Sequence, residues 1–380
     1  MMGKNLCMIT IIASVCLLFS CTKVKDVYTY GEPDTISWDK AADSAVNALT
    51  SQFWNEAGNY FNYGSNGSDP GFQYWPNAHA MDVLIDAFLR TNDNKYSAFF
   101  DKWFDGIKVK NGNTYHNIFY DDMEWNALTF LRLYDVTKDE KYLDAAKDLW
   151  SDIISGWNDT YAEGGIAWKK DMPYSKNACA NGPAAILAAR LYNITQTDSC
   201  RQWAQKIYEW EKNTLYEWAT GGVHDNINGE TGVINNAVLT YNTGTFIGAA
   251  VELYNITGDI TYLNDAQKCA NYTITKCIDT GNNVLRDEGN GDNALFKGIF
   301  IRYYYLLMQE PDLNADYKRK FVNFFNNNAL SVWTKATYKQ SLLFGSSWIA
   351  PPAGEAQLTA EASACMMIEA KAAFEKGDKQ

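Results

Sequence analysis

Apolar positions along this chain recur at helical spacing, in blocks that come in pairs. The stretch "LYDVTKDEKYLDAAKDLW" from Leu133 reads as the end of one helix, a short polar turn, and the start of a second. "LYNITQTDSCRQWAQKIYEW" from Leu191 and "LYNITGDITYLNDAQKCANY" from Leu253 repeat the pattern. "FLRTNDNKYSAFFDKWF" from Phe88 and "LLMQEPDLNADYKRKFVNFF" from Leu306 are fainter copies. Asp139, Asp259 and Asp312 stand where N-caps are expected. In the second helix of one pair, Tyr142, Leu143, Ala146, Leu149 and Trp150 form an apolar stripe. A first helix near the start and a last near the end bring the expected number to about twelve. They fall at 38–57, 77–91, 93–106, 121–136, 139–157, 177–195, 197–217, 234–256, 259–279, 291–309, 312–330 and 355–375.

Turns within a pair are short, while the connections between pairs are long and rich in Gly, Asn and aromatics. The pairs are too widely and unevenly spaced for the ~34-residue tetratricopeptide repeat. Six hairpins closing in a ring make an all-α toroid, the (α/α)6 barrel; an open solenoid is the alternative. "GPAAILAARL" and "GTFIGAAVEL" suit its inner helices, and the Lys- and Asp-bearing partners suit its outer ring. The long loops then converge on one end, where function is expected on a rigid scaffold.

Composition narrows the chemistry. Hydrophobic residues make up 47% of the 380, enough for a large core, and the net charge is −12. Recognition of nucleic acid or of an anionic membrane surface by bulk charge is therefore not expected. Aromatics reach 14%, with 13 Trp and 24 Tyr, and flat faces with polar edges suit sugars as well as cores. The three histidines, His79, His116 and His224, show no metal-ligand spacing, and no phosphate-binding glycine loop follows a strand-like run. No metal or cofactor is expected. Cys179, Cys200, Cys269, Cys277 and Cys365 form no CxxC and read as buried free thiols; Cys269 and Cys277 lie ~12 Å apart along a helix axis.

The N-terminus reads as a processing segment. Lys4 precedes the apolar run "LCMITIIASVCLLF", which ends in "LFSC" at Cys21, a lipobox-like site. The expected organisation is a signal peptide at 1–20, a tether at 21–36 lipidated on Cys21, and one catalytic domain at 37–380. That places the protein at a bacterial cell envelope, as an outer-membrane lipoprotein held by its lipid anchor.

The candidate chemistry is "YDDMEW", Tyr120 to Trp125. Asp121 followed by Glu124 is also the spacing of a capping box, in which Asp121 would merely cap a helix. The aromatic setting favours a cleft instead. Two carboxylates in a cleft suit glycoside hydrolysis: one ionised as nucleophile or base, the other holding a proton for the leaving oxygen. Adjacency in sequence is compatible with either retaining or inverting geometry.

The stretch "YDDMEWNALTFLRLYDVTKDEKYLDAAKDLWSDIISGW" is similar to glycoside hydrolase family 76, the bacterial and fungal α-1,6-mannanases. "GGIAWKK", "NACANGPAAILAARLY", "YNTGTFIGAAVELYNITGD" and "ALFKGIFIRYYYLL" extend the resemblance over about 38–375. It implies an (α/α)6 barrel and retaining hydrolysis of α-1,6-linked mannan; the leading reading is an endo-acting enzyme, expected to be a monomer. Asp121 would be the nucleophile and Asp122 the acid/base. Asn181, Tyr241, Asn242, Phe296 and Lys297 would be substrate-binding positions, with Trp75, Tyr120, Trp125 and Trp168 as stacking platforms. Lys169 stands where relatives often carry a second Trp. An exo-acting or transglycosylating α-mannoside enzyme and a non-catalytic mannan-binding lipoprotein are the alternatives; the presence of both aspartates argues against the last.

Overall fold

Two kinds of helix alternate along the chain, and their surfaces explain the architecture. The structure, a computed structural model, describes residues 36–68 and 71–377; the expected signal peptide and the lipidated Cys21 lie outside them. The helices are α1 (Trp38–Phe53), α2 (Tyr74–Thr91), α3 (Asn94–Ser97), α4 (Phe100–Lys110), α5 (Tyr120–Thr137), α6 (Glu140–Ile153), α7 (Gly182–Thr195), α8 (Asp198–Thr214), α9 (Thr240–Thr257), α10 (Ile260–Lys276), α11 (Phe296–Met308), α12 (Ala315–Ser331) and α13 (Leu358–Gly377). In α6 only one stripe is buried, Tyr142 to Ile153 at helical spacing, as an outer helix requires. In α7 nine consecutive residues from Gly182 to Arg190 include only the last as incompletely buried, so α7 is covered on all sides.

The covered helices form the inner ring. α2 packs on α5, α5 on α7, α7 on α9, α9 on α11, α11 on α13, and α13 returns to α2. This closure gives the (α/α)6 barrel and rules out the open solenoid. Small residues let the inner helices approach. A Cβ at Gly244 of α9 would lie 2.7 Å from the Phe300 backbone, and one at Gly298 of α11 would lie 2.6 Å from that of Ser363.

The short turns share one device. Asn92, Lys138, Gln196 and Gly258 end their helices in the left-handed conformation, each returning its N–H to the carbonyl four residues back. Asp93, Asp139 and Asp259 then cap the next helix through their carboxylates. Asp312 does not act this way: Asn314 caps α12, and Asp312 accepts the Tyr254 hydroxyl instead.

At the long-loop end several expected helices are shorter. The first stops at Phe53, where Trp54–Asn55 pairs with Tyr60–Phe61. Ser175–Asn177, Asn226–Asn228 and Val233–Asn235 form a three-stranded antiparallel sheet, so α7 and α9 begin five and six residues later than expected from 177 and 234. The expected helix at 93–106 divides into α3 and α4. The five thiols are buried and free.

Candidate active site

Each inner helix begins at the end where the long loops converge, and α5 brings the aspartate pair there. Its entrance is fixed by main-chain pairing: Tyr120 N–H donates to Trp168 O at 3.0 Å and Lys170 N–H to Ile118 O at 2.9 Å. Phe119 occupies the N-cap position with no side-chain bond. The capping-box reading of Asp121 and Glu124 therefore fails. Asp121 is the second helical residue, and Glu124 is fully buried with both carboxyl oxygens unpartnered.

The two aspartates have opposite surroundings. Asp121 receives three donors. Its Oδ1 accepts the Asp122 backbone N–H at 3.0 Å, and its Oδ2 accepts the Trp168 indole N–H at 3.1 Å and the Cys179 thiol at 3.4 Å. The Asp122 carboxyl accepts no hydrogen bond from any described residue. Burial lifts Asp121 to about 6, with the thiol, the amide and the indole holding it down. Burial lifts Asp122 well above the usual carboxylate range, and the neighbouring charges of Asp121 and Asp292 add to the rise. The donors favour the charge on Asp121, and the neighbouring charges favour the proton on Asp122.

The pair opens into a cavity of about 410 Å³. Trp75, Trp125, Trp168, Tyr241 and Phe296, five of the candidate substrate-binding residues, line it. Tyr241 and Phe296 stack face to face, centroids 3.8 Å apart and planes within 5°, while Trp75 and Trp125 lie 6.4 Å apart at 39°. The described lining includes four aspartates and no Lys, Arg or His, so no nearby cation relieves the repulsion between carboxylates.

Four assigned substrate-binding residues stand behind this lining. Tyr120 is buried with its ring against Gly156. Asn181 brackets Ile166, accepting its N–H at 2.8 Å and donating to its O at 3.1 Å. Asn242 donates to Asp225 Oδ1 at 3.0 Å. Lys297 is fully buried, donates to Ser346 O and lies 5.2 Å from the centre of the Trp348 ring; burial pushes it down to about 8. These side chains hold the loops around the cavity and are not part of its lining.

The lining also contains residues that sequence reading did not select: Asp225, Asp292, Asn177, Asn293, Gln73 and Cys179. Asp225 is held by Asn226 and Asn235 on its second oxygen, at 2.7 and 3.0 Å. Asp292 is raised by burial, with Trp75 holding it down. A usable signal was present: each stands in a long, Gly- and Asn-rich loop at the same end as the pair. A larger cavity of about 470 Å³ between α2, α11 and α13 contains charged residues already paired with one another, such as Arg90 with Glu369 at 2.8 Å and Arg302 with Asp86 at 2.8 Å.

Comparison with known proteins places this geometry. The model of the family described as Glycosyl hydrolase family 76 matches residues 37–379. The α-1,6-mannanase GH76A of Salegentibacter sp. HEL1_6 is 41% identical, with a TM-score of 0.85 over 89% of this chain and 99% of that one. Inactive variants of it, with two consecutive aspartates replaced, are in complex with α-1,6-mannotriose and α-1,6-mannotetrose. The Lin0763 protein from Listeria innocua is 34% identical, with a TM-score of 0.84 over 90% of this chain and 99% of that one. Two putative mannan endo-1,6-alpha-mannosidases of Schizosaccharomyces pombe match at 26% and 23% identity, over 44% and 74% of this chain. These matches span 41% and 70% of the yeast proteins.

Proposed function

The chain belongs to glycosyl hydrolase family 76, and on that premise we propose that it is a retaining endo-α-1,6-mannanase. The observation that carries the mechanism is the unequal treatment of two adjacent carboxyls. Three donors keep Asp121 ionised beside an undonated, protonated Asp122. In the first step Asp121 attacks the anomeric carbon as the bond to the leaving oxygen breaks, and the Asp122 proton goes to that oxygen. In the second step Asp122 takes a proton from water, whose oxygen displaces Asp121 from the same carbon. Two displacements restore the α configuration. The cavity's indoles and Tyr241 offer apolar faces to sugar rings, while Asp225, Asp292, Asn177 and Asn293 offer hydroxyl partners.

The substrate follows from the relatives. The Salegentibacter enzyme is an α-1,6-mannanase whose double-aspartate variants are inactive, and the yeast relatives are named endo-1,6-alpha-mannosidases. Product analysis on debranched α-1,6-mannan tests the reading. A ladder of α-configured oligosaccharides supports it; mannose alone means exo action, and an inverted product or no product overturns it.

The same proposal includes anchoring by lipid on Cys21, supported by "LFSC" after a short apolar run. Cys21→Ala should leave the protein out of the membrane fraction with hydrolytic activity intact. A variant that still sediments with membranes after salt washing overturns it.

A further inference from the structure

We propose that the Cys179 thiol is a positioning residue for the nucleophile, orienting the Asp121 carboxylate through a deliberately weak hydrogen bond. The inference rests on the assignment of Asp121 as nucleophile.

Cys179 sits in the 3-10 turn Ala178–Ala180, between the strand Ser175–Asn177 and α7. Two bonds fix that turn. Ala178 N–H donates to Asp225 O at 2.9 Å, and the Asn181 side chain donates to Asn177 O at 2.8 Å. The thiol is 3% exposed, lines the cavity and lies 3.4 Å from Asp121 Oδ2. Its other polar neighbour is the Tyr241 hydroxyl. The S–H donates to Oδ2.

The choice of sulfur has a physical consequence. A nucleophilic carboxylate must be held in one plane, yet it must surrender charge to the anomeric carbon. Every strong donor on its oxygens stabilises the resting anion and opposes that transfer. The Asp122 amide and the Trp168 indole already supply two N–H donors. A thiol is a weaker donor than a hydroxyl, so it adds a third point of fixation while withdrawing less basicity than a hydroxyl would there. Burial pushes the Cys179 thiol well above its ordinary value, so it stays a donor and does not add a further anion. The charged or titratable groups facing Asp121 are Asp122 and Glu124 from α5 and Tyr241 from α9; Asp225, from the loop before its strand, faces Cys179 and Tyr241, and Asp292 faces Asp122.

The test compares the pH dependence of kcat/KM on α-1,6-mannan for wild type, Cys179→Ala and Cys179→Ser. Removing the donor in Cys179→Ala should move the acid limb up by ~0.5 pH unit. Cys179→Ser keeps a donor and should return the limb to the wild-type position or below. An acid limb unmoved in Cys179→Ala, or displaced equally in both variants, overturns the proposal whatever happens to rate or Tm. A second readout needs no turnover. The S–H stretching band of Cys179, isolated as the wild-type minus Cys179→Ala infrared difference, should shift to lower frequency as pH rises through about 6, where Asp121 ionises. A band indifferent to pH overturns the contact. A wild-type enzyme that leaves mannan uncut while the band still shifts would refute the assigned reaction and keep the thiol–carboxylate contact.

Discussion

The side-chain amide of Asn242 donates to Oδ1 of Asp225 at 3.0 Å, so a fully buried residue of α9 orients a carboxylate on the cavity wall. Asn242 itself is not part of the cavity lining. Asn242→Ala should lower kcat/KM by about 10-fold, roughly 1.4 kcal/mol, by freeing Asp225 to rotate. Asp225→Asn should cost at least as much. In the double variant the two losses should overlap, with a coupling of ~1 kcal/mol in a double-mutant cycle. Fully additive losses would show that Asn242 acts on its own.

The unequal aspartates predict unequal variants. Asp121→Asn should lose turnover on every substrate, by ~10³-fold or more, equivalent to at least ~4 kcal/mol of barrier. Asp122→Asn should lose as much on mannan but far less in glycosylation from an aryl glycoside, whose leaving group departs without a proton. Azide should then restore release of the glycosyl-enzyme, giving an α-glycosyl azide. Single-turnover rates on both substrates decide. Equal losses on mannan and on the aryl glycoside would contradict the division of roles.

The pH profile should be bell-shaped, its limbs belonging to the coupled pair. kcat/KM should rise as Asp121 ionises near about 6 and fall as Asp122, held above the usual carboxylate range, loses its proton. Trp168→Phe removes the indole donor that holds Asp121 down, so the acid limb should move upward. Movement downward would mean that the indole acts mainly through shape.

Much of the barrel is legible in the amino-acid order because its cause is local. Leu191–Thr195 and Leu253–Thr257 each end a helix before a left-handed residue and a new start, and such signals need no tertiary contact. The helix beginnings at the loop end are not local. Thr240 starts α9 because Val233–Asn235 is drawn into pairing with Asn226–Asn228. That pairing depends on a chain reversal which helical periodicity cannot register. The same limit governs the site. Asp121 and Asp122 are conspicuous because adjacency in an aromatic setting is unusual. Asp225 and Asp292 look like ordinary loop acids until the ring closes and brings α9 and α11 beside α5's end. Asn181 and Lys297 match the family's pattern, but a matching position does not reveal whether a side chain faces the cavity or the loop behind it.

Lys297 makes that distinction testable. Its ammonium ties Ser346 O and Trp348 to the start of α11 and does not line the cavity. Lys297→Met preserves the stem and removes the charge. It should lower Tm by a few degrees, since it leaves the half-buried Ser346 carbonyl without its donor, at a cost of about 1 kcal/mol. KM on mannan should stay within about twofold. A large rise in KM with unchanged Tm would return Lys297 to the substrate.

Glu124 connects the site to stability. It lies on α5 beneath the pair, fully buried, with neither carboxyl oxygen hydrogen-bonded. Burial raises it well above its ordinary value, and the charges of Asp121, Glu211 and Asp122 add to the rise. The folded state therefore holds a proton that the unfolded chain releases above ~4.3. The resulting stability is fully present below that pH and is lost as pH rises toward the folded value. While the group is ionised only in the unfolded chain, its slope is about 1.4 kcal/mol per pH unit. Glu124→Gln is neutral in both states and removes this contribution. Its stability relative to wild type should increase as pH rises above ~4.5 in urea unfolding. Asp121, Asp122 and Glu211 are raised in the same direction, so a decline with pH should persist in the variant at a smaller slope. Because Glu124 does not line the cavity, kcat should change by no more than about threefold. A stability difference between variant and wild type that stays constant across pH would show that Glu124 is ionised in the folded protein, and with it that the wall behind the pair is wetter than its packing indicates.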